Sequence, residues 1–160
     1  MSVRHQKVAI LDAGSQYGKI IDRKVRELNI CSELFPLQTS AAKLKDIGCD
    51  AIIISGGPQS VHTEGAIKFD PLIFELNVPV LGICYGMQLM VQVFGGTIDS
   101  TSLRDDGQFD IIVDCTCPIF ADLTSNNQTV LLTHGDSVLS TGGDFKTVGK
   151  LGKVICVFVL

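Results

Sequence analysis

The stretch of the chain that says most about its fold spans residues 78–94 and reads VPVLGICYGMQLMVQVF. Residues 78–81 form a short apolar run that is typical of a buried strand, and residues 87–94 have the composition of a helix. Cys84 lies between them, with a glycine two residues before it and another two residues after it. This pattern predicts a sharp strand-to-helix turn that presents the thiol as a nucleophile elbow does. The alternative interpretation is a buried core cysteine, which is the commonest fate of that residue.

The same alternation of strand and helix runs through the preceding part of the chain. The sequence predicts three further strands: a buried one at residues 8–12, a second at 31–35, ended by Pro36, and a third at 51–54. Helical spacing follows the strands, at residues 20–28, 41–46 and about 66–76. This order predicts an α/β fold with an open, mostly parallel sheet and helices on both faces.

The second half of the chain does not continue the alternation of strands and helices. Strands joined by short loops are predicted at residues 109–113, 129–132, 146–148 and 154–160. We therefore expect a strand-rich, partly antiparallel second half, and we expect residues 1–160 to form a single domain.

The composition fits a buried sheet and argues against several classes of function. Hydrophobic residues make up 46% of the chain and charged residues 19%, as strands buried on both faces require. The net charge of -4 offers no footprint for nucleic acid or an anionic membrane, and no apolar run reaches the roughly 18 residues that span a bilayer. The start of the chain lacks a signal-peptide pattern. The six cysteines are interpreted as reduced thiols. Together with the lack of a signal-peptide pattern, they predict that the protein is located in the cytosol.

Two cysteines, Cys115 and Cys117, are expected on one face of a strand. A metal site needs additional ligands at suitable spacing, and the sequence shows none beside them. We therefore predict neither a metal nor a cofactor in this domain.

Two polar loops are expected at the carboxyl ends of the parallel strands, where open α/β sheets bind ligands. They are residues 12–18 and 55–60. The backbone N–H groups of Gly56 and Gly57, together with that of Tyr85, would make an oxyanion hole beside Cys84. The Walker lysine of a phosphate loop is missing. The residues alone thus predict a cysteine-dependent acyl-transfer site.

A cysteine nucleophile requires a base, and the residues alone do not identify which side chain this is. The chain has three histidines, His5, His62 and His134. His134 ends an apolar strand and is the best local candidate.

Four stretches, taken together, resemble a known family. They are ILDAGSQYG at 10–18, ISGGPQSV at 54–61, GICYGMQ at 82–88 and LLTHGDSV at 131–138. In this order and spacing they resemble class I (triad-type) glutamine amidotransferase domains, which have a flavodoxin-like fold. The first and last stretches are most similar to the glutaminase domains of GMP synthases.

The resemblance implies a role for each matching position. Cys84 would attack the side-chain amide of glutamine, release ammonia and leave a γ-glutamyl thioester. The N–H groups of Gly57 and Tyr85 would hold the oxyanion. The amino-acid end of glutamine would be held by Gln88 and by the backbone around three further residues, Thr133, Gly135 and Asp136. The resemblance also implies that His134 is not the base.

The resemblance further implies a partner domain. The chain also differs from the family pattern in one respect. The partner, in the same or a separate chain, is an ATP-pyrophosphatase domain that uses ATP and Mg²⁺ and turns XMP into GMP; this synthetase part is absent from the 160 residues. The family's catalytic histidine and glutamate lie in a later His-Pro-Glu segment, which the 160 residues do not contain. We therefore expect a domain that is incomplete at its C-terminus and weakly active or inactive alone. The alternatives are a catalytically silent glutamine-binding or interaction module and, less in keeping with the motifs, an unrelated cysteine hydrolase.

Overall fold

The computed structural model describes residues 6–58, 60–61, 68–100 and 105–159. The chain divides into two compact units, Met1–Met90 and Val91–Leu160. The prediction that the 160 residues form a single domain stays a prediction.

The first unit is built on a four-stranded parallel sheet. Its strands and helices, in chain order, are β1 (Lys7–Asp12), α1 (Gly18–Glu27), β2 (Cys31–Pro36), α2 (Ala41–Ile47), β3 (Ala51–Ile54), a 3-10 helix (Pro71–Glu75), β4 (Val80–Gly82) and α3 (Tyr85–Val93), whose last three residues belong to the second unit. The strand order is β2-β1-β3-β4, and each neighbouring pair is parallel. The predicted α/β class with a parallel sheet is confirmed.

The strand β1 lies inside the sheet because its side chains avoid water on both faces. Ala9, Ile10 and Leu11 are completely buried, and β1 pairs with β2 on one side and β3 on the other. Burial of consecutive rather than alternate residues is what a parallel sheet covered on both faces requires. The continuous apolar run in the sequence therefore predicted a buried strand here correctly.

The strand order also fixes where a ligand is expected. The chain moves from β1 to β2 in one direction and from β2 through β3 to β4 in the other. With right-handed crossovers, this reversal places α1 and α2 on opposite faces of the sheet. It also opens a crevice between the carboxyl ends of β1 and β3, the usual ligand position in such sheets.

The helices of this unit end where the sequence provides suitable caps. The hydroxyl of Ser40 accepts a hydrogen bond from the backbone N–H of Lys43 and caps α2. Gly48, in the left-handed region at φ 67°, ends the same helix. Asn29 follows α1 in a similar conformation at φ 59°.

The helix predicted at about residues 66–76 is present only in part among the residues that the structure describes, and as a 3-10 helix. Residues 68–70 are not helical, and Pro71–Glu75 is a 3-10 helix; residues 66 and 67 lie outside the described residues. Pro71 begins this short helix rather than interrupting a longer one, because proline fits the first helical position, where no N–H is needed. The carboxylate of Asp70 caps it by accepting from the N–H of Leu72 at 3.1 Å.

The second unit is strand-rich, as predicted, and its pairing is antiparallel throughout the described residues, where only partly antiparallel pairing was predicted. It contains β5 (Gly95–Asp99), β6 (Asp105–Val113), a 3-10 helix (Pro118–Phe120), β7 (Asn127–His134), β8 (Ser137–Gly142), β9 (Lys146–Leu151) and β10 (Val154–Val159). One sheet has the order β10-β9-β6-β7 and the other is the pair β5-β8. All pairs in both sheets are antiparallel. The sequence did not predict β5 or β8.

The expectation that Cys115 and Cys117 share a strand face is wrong. The strand β6 ends at Val113, and the two cysteines lie in the turn that follows it. Asp114 starts this turn by accepting the backbone N–H of Thr116 at 3.0 Å. A short polar side chain that bonds to the backbone two residues later favours a turn over a continued strand.

Candidate active site

Cys84 occupies a strained backbone position between β4 and α3. Its φ is 51°, in the left-handed region that side chains rarely adopt. Among the described residues, the other non-glycine residues with positive φ are Asn29 and Asn77, and asparagine tolerates this conformation better than cysteine does. Cys84 is also exposed. An exposed thiol on a strained strand-to-helix turn is the geometry of a nucleophile elbow.

The two glycines of the elbow allow its backbone to pass close to neighbouring segments. A Cβ atom placed on Gly82 would lie 2.7 Å from the backbone of Gly86. A Cβ atom on Gly86 would lie 2.9 Å from the Cβ atom of Ile54, at the end of β3. Backbone hydrogen bonds fix the same turn: the N–H of Ile83 donates to the carbonyl of Ile54 at 2.9 Å, and the N–H of Gly86 donates to that of Ile83 at 3.0 Å.

The glycine loop after β3 lies directly beside the elbow. A Cβ atom on Gly56 would be 3.5 Å from the Cβ atom of Cys84. A Cβ atom on Gly57 would be 2.6 Å from the carbonyl oxygen of Ala13. The loop is thus held between the elbow on one side and the loop after β1 on the other, and glycine is required at position 57 by this close approach.

Tyr85 and Gln88 lie in the first turn of α3, which begins immediately after Cys84. The Tyr85 side chain is completely buried and that of Gln88 is 5% exposed. The N–H of Gln88 donates to the carbonyl of Cys84 at 3.0 Å, which closes the first turn of the helix over the cysteine. The structure therefore brings Cys84, Gly57, Tyr85 and Gln88 into one region of the first unit.

The other three predicted binding residues belong to the second unit. Thr133 lies in β7, and Gly135 and Asp136 form the connection from β7 to β8. His134 is the last residue of β7. Their predicted role in binding stays a prediction.

The sequence contains two further histidines besides His134. His5 and His62 both lie outside the described residues. The chain does contain one His-x-Glu triplet, His62-Thr63-Glu64, which precedes Cys84 and also falls outside them.

Asp12 and Ser55 are site residues to which the sequence analysis gave no role. Leu11 in β1 pairs with Ile54 in β3, and Asp12 and Ser55 are the next residues at the carboxyl ends of these two strands. Ser55 is completely buried. The Oγ atom of Ser55 accepts from the backbone N–H of Ala13 at 3.0 Å and lies 3.3 Å from Oδ1 of Asp12. The sequence did contain a signal for these two residues, because each is a polar residue that directly follows an apolar run and adjoins a loop.

The other cysteines differ from Cys84 in their surroundings. None of the six is in a disulfide. Burial raises the pKa of the Cys49 thiol, which makes it a poor nucleophile at neutral pH. Among the described residues, no group of three or more His, Cys, Asp or Glu side chains could hold a metal ion.

The chain belongs to the class-I glutamine amidotransferase family, whose sequence pattern it matches over residues 9–155. Three curated relatives carry the name GMP synthase (glutamine-hydrolyzing). The relative from Caenorhabditis elegans, named as probable, is 51% identical, that from Dictyostelium discoideum 49% and that from Lacticaseibacillus rhamnosus 45%. The alignments cover 92%, 89% and 89% of this chain, but only 20%, 22% and 28% of the relatives. The chain thus spans between a fifth and just over a quarter of their length.

Solved structures share the fold. One Thermoplasma acidophilum protein, described as a subunit of GMP synthase, superimposes with a TM-score of 0.85 at 24% identity, over 99% of this chain and 79% of that one. A glutamine amidotransferase from Thermotoga maritima gives a TM-score of 0.74 at 18% identity, over 98% and 72% of the two chains. At these identities the likeness concerns the fold alone. Separately, no helix in the described part of the chain has the length and apolar character needed to cross a membrane.

Proposed function

We propose that this chain is the glutaminase domain of a GMP synthase, with Cys84 as its nucleophile. The observation that carries the proposal is the exposed Cys84 thiol on a left-handed turn between β4 and α3, beside the Gly56-Gly57 loop. The family and the names of the relatives support the same reaction.

The proposed reaction begins when the Cys84 thiolate attacks the carbonyl carbon of the glutamine side-chain amide. A C–S bond forms and the carbonyl electron pair moves to oxygen, where the N–H groups of Gly57 and Tyr85 stabilise the negative charge. The C–N bond then breaks, and the nitrogen takes up a proton and leaves as ammonia. Water hydrolyses the γ-glutamyl thioester to glutamate and restores the thiol.

The remaining assignments follow the resemblance and the relatives. Gln88, Thr133, Gly135 and Asp136 are proposed to hold the amino-acid end of glutamine. The ammonia would serve an ATP-pyrophosphatase domain, which holds ATP and Mg²⁺ and converts XMP to GMP in the cytosol. The glutaminase domain itself would need no cofactor.

The test is alkylation of Cys84 by the chloromethyl ketone analogue of glutamine, followed by peptide mass spectrometry. We expect this reagent to modify Cys84 before the other five cysteines, and we expect glutamine to protect it. Gly57→Ala should slow the reaction about a hundredfold, because a Cβ atom meeting Ala13 displaces an oxyanion donor. Gln92→Ala, an exposed change on α3, is the control and should react like the wild type. Labelling without glutamine protection would contradict the proposal.

A second candidate function is a glutamine-binding module without turnover. This candidate concerns the 160-residue polypeptide taken by itself, in which no His-Pro-Glu segment occurs. General acid–base catalysis contributes about 10²–10⁴-fold, so we expect the purified chain to release ammonia at least about a hundredfold more slowly than a full-length relative assayed in parallel. Protected labelling of Cys84 with no turnover supports this candidate, whereas Cys84-dependent turnover within about tenfold of that relative excludes it.

A further inference from the structure

Asp12 and Ser55 hold the loop after β1 in a fixed conformation. Oδ1 of Asp12 accepts hydrogen bonds from the backbone N–H groups of Gly14 at 3.0 Å and Ser15 at 3.2 Å. Ser55 accepts the N–H of Ala13 at 3.0 Å. Three successive N–H groups of this loop therefore have their acceptors on two side chains at the ends of β1 and β3.

The same two side chains connect this loop to the oxyanion segment. The hydroxyl oxygen of Ser55 lies 3.3 Å from Oδ1 of Asp12 and 2.9 Å from the carbonyl oxygen of Gly56. Gly57 lies directly against the carbonyl of Ala13, and Gly56 lies against Cys84. The position of the Gly57 backbone relative to the thiol thus depends on where Asp12 and Ser55 place Ala13.

From this geometry we infer that Asp12 and Ser55 are positioning residues, which aim the N–H of Gly57 at the oxyanion. The inference rests on the proposed function, because it needs a carbonyl substrate at Cys84. In this role they need not contact the reacting atoms. They act through the backbone of Ala13, Gly56 and Gly57.

A matched control exists at the opposite end of the same two strands. The carboxylate of Asp50, just before β3, accepts the backbone N–H of Lys7, the first residue of β1, at 2.9 Å. This bond also joins β1 to β3, but it lies at the amino end of the sheet, away from Cys84. Asp50→Ala therefore removes a comparable bond without disturbing the oxyanion segment.

The experiment compares two reagents at Cys84 in the full 160-residue chain. The chloromethyl ketone analogue of glutamine develops a negative carbonyl oxygen when the thiol attacks, whereas iodoacetamide reacts at a CH₂ group and develops none. Selectivity is the ratio of the two second-order rate constants, measured by mass spectrometry of the Cys84 peptide. A merely structural role would lower both rates together and leave the ratio unchanged.

We expect Asp12→Ala and Ser55→Ala to lower the selectivity roughly tenfold to a hundredfold, as a misplaced donor does. Asp12→Asn keeps an acceptor oxygen and guards against a variant that fails to fold; it should stay within about threefold of the wild type. Asp50→Ala should keep the wild-type selectivity. The positioning role is overturned if the wild type is selective and both Ser55→Ala and folded Asp12→Ala keep that selectivity. The proposed function would still stand in that case. A wild type without selectivity for the glutamine analogue overturns both.

Discussion

At the scale of single residues, the proposed function depends most on the conformation of Cys84. The left-handed backbone, with φ at 51°, costs a non-glycine residue about 1–2 kcal/mol. Glycine would carry this conformation without strain, and the chain has cysteine there instead. Strain of this kind is retained at functional sites because the side chain is needed at that point in space.

The strain at Cys84 can be measured by comparing two substitutions that both remove the thiol. Cys84→Gly should be more stable to unfolding than Cys84→Ala by about 1 kcal/mol, because only alanine keeps the left-handed strain. Chemical denaturation of both variants checks this difference. Equal unfolding free energies would show that the turn is not strained in solution. Both variants should lose all labelling by the glutamine analogue at this position.

At the scale of elements, the elbow depends on how closely α3 approaches the end of β3. Gly86 is the residue that permits this approach, since a Cβ atom there would meet Ile54 at 2.9 Å. The sequence predicted the tight turn from its two glycines. It did not show that the partner in this contact is β3, because Ile54 is distant in the chain and becomes a neighbour only when β3 pairs with β4.

Gly86→Ala should therefore weaken both the fold and the site. We expect a loss of about 1–3 kcal/mol in unfolding free energy, the usual cost of overpacking, and slower labelling of Cys84 because α3 is displaced from β3. Thermal unfolding and the alkylation assay provide the two measurements. The control is Gln92→Ala on the exposed side of the same helix, expected within about 0.5 kcal/mol of the wild type. A Gly86→Ala variant as stable as this control would contradict the close approach.

At the scale of the whole molecule, we expect stability to depend on pH through an ion pair in the second unit. Hydrogen bonds from Lys146 and then from Thr116 lower the pKa of Asp114 from its usual 3.8 to about 2. The Nζ atom of Lys146, in β9, lies 2.8 Å from the Asp114 carboxylate. The pair ties the turn that contains Cys115 and Cys117 to the neighbouring strand.

The direction of this pH effect follows from the lowered pKa. A carboxyl group that is more acidic in the folded protein stabilises it fully above the unfolded pKa and loses this contribution as the pH falls through the folded one. The melting temperature of Asp114→Asn should therefore lie below that of the wild type at pH 6, and the difference should shrink between about pH 4 and pH 2. Lys146→Met should show the same trend, and the double variant should show no additional loss. A difference that stays constant down to pH 2 would refute the assignment.

The amino-acid sequence by itself determined the parallel sheet, the elbow and the glycine loop, because each depends on local features. Consecutive apolar residues at 8–11 and 51–54 require strands buried on both faces, and glycines at 82 and 86 permit a sharp turn. The antiparallel second half was also readable from its short, closely spaced strands.

Only the tertiary structure decided the features that rest on partners far away in the chain. The strand β5 begins with Gly95 and Gly96, which have little intrinsic preference for a strand, and it exists through pairing with β8 some forty residues later. The bonds between Asp12, Ser55 and the loop after β1 likewise join residues from different strands. Sequence spacing encodes local backbone preference, whereas these contacts arise only when the sheet brings distant strands into register. For that reason the proposed nucleophile could be predicted from sequence, whereas the residues proposed to position the Gly57 backbone could not.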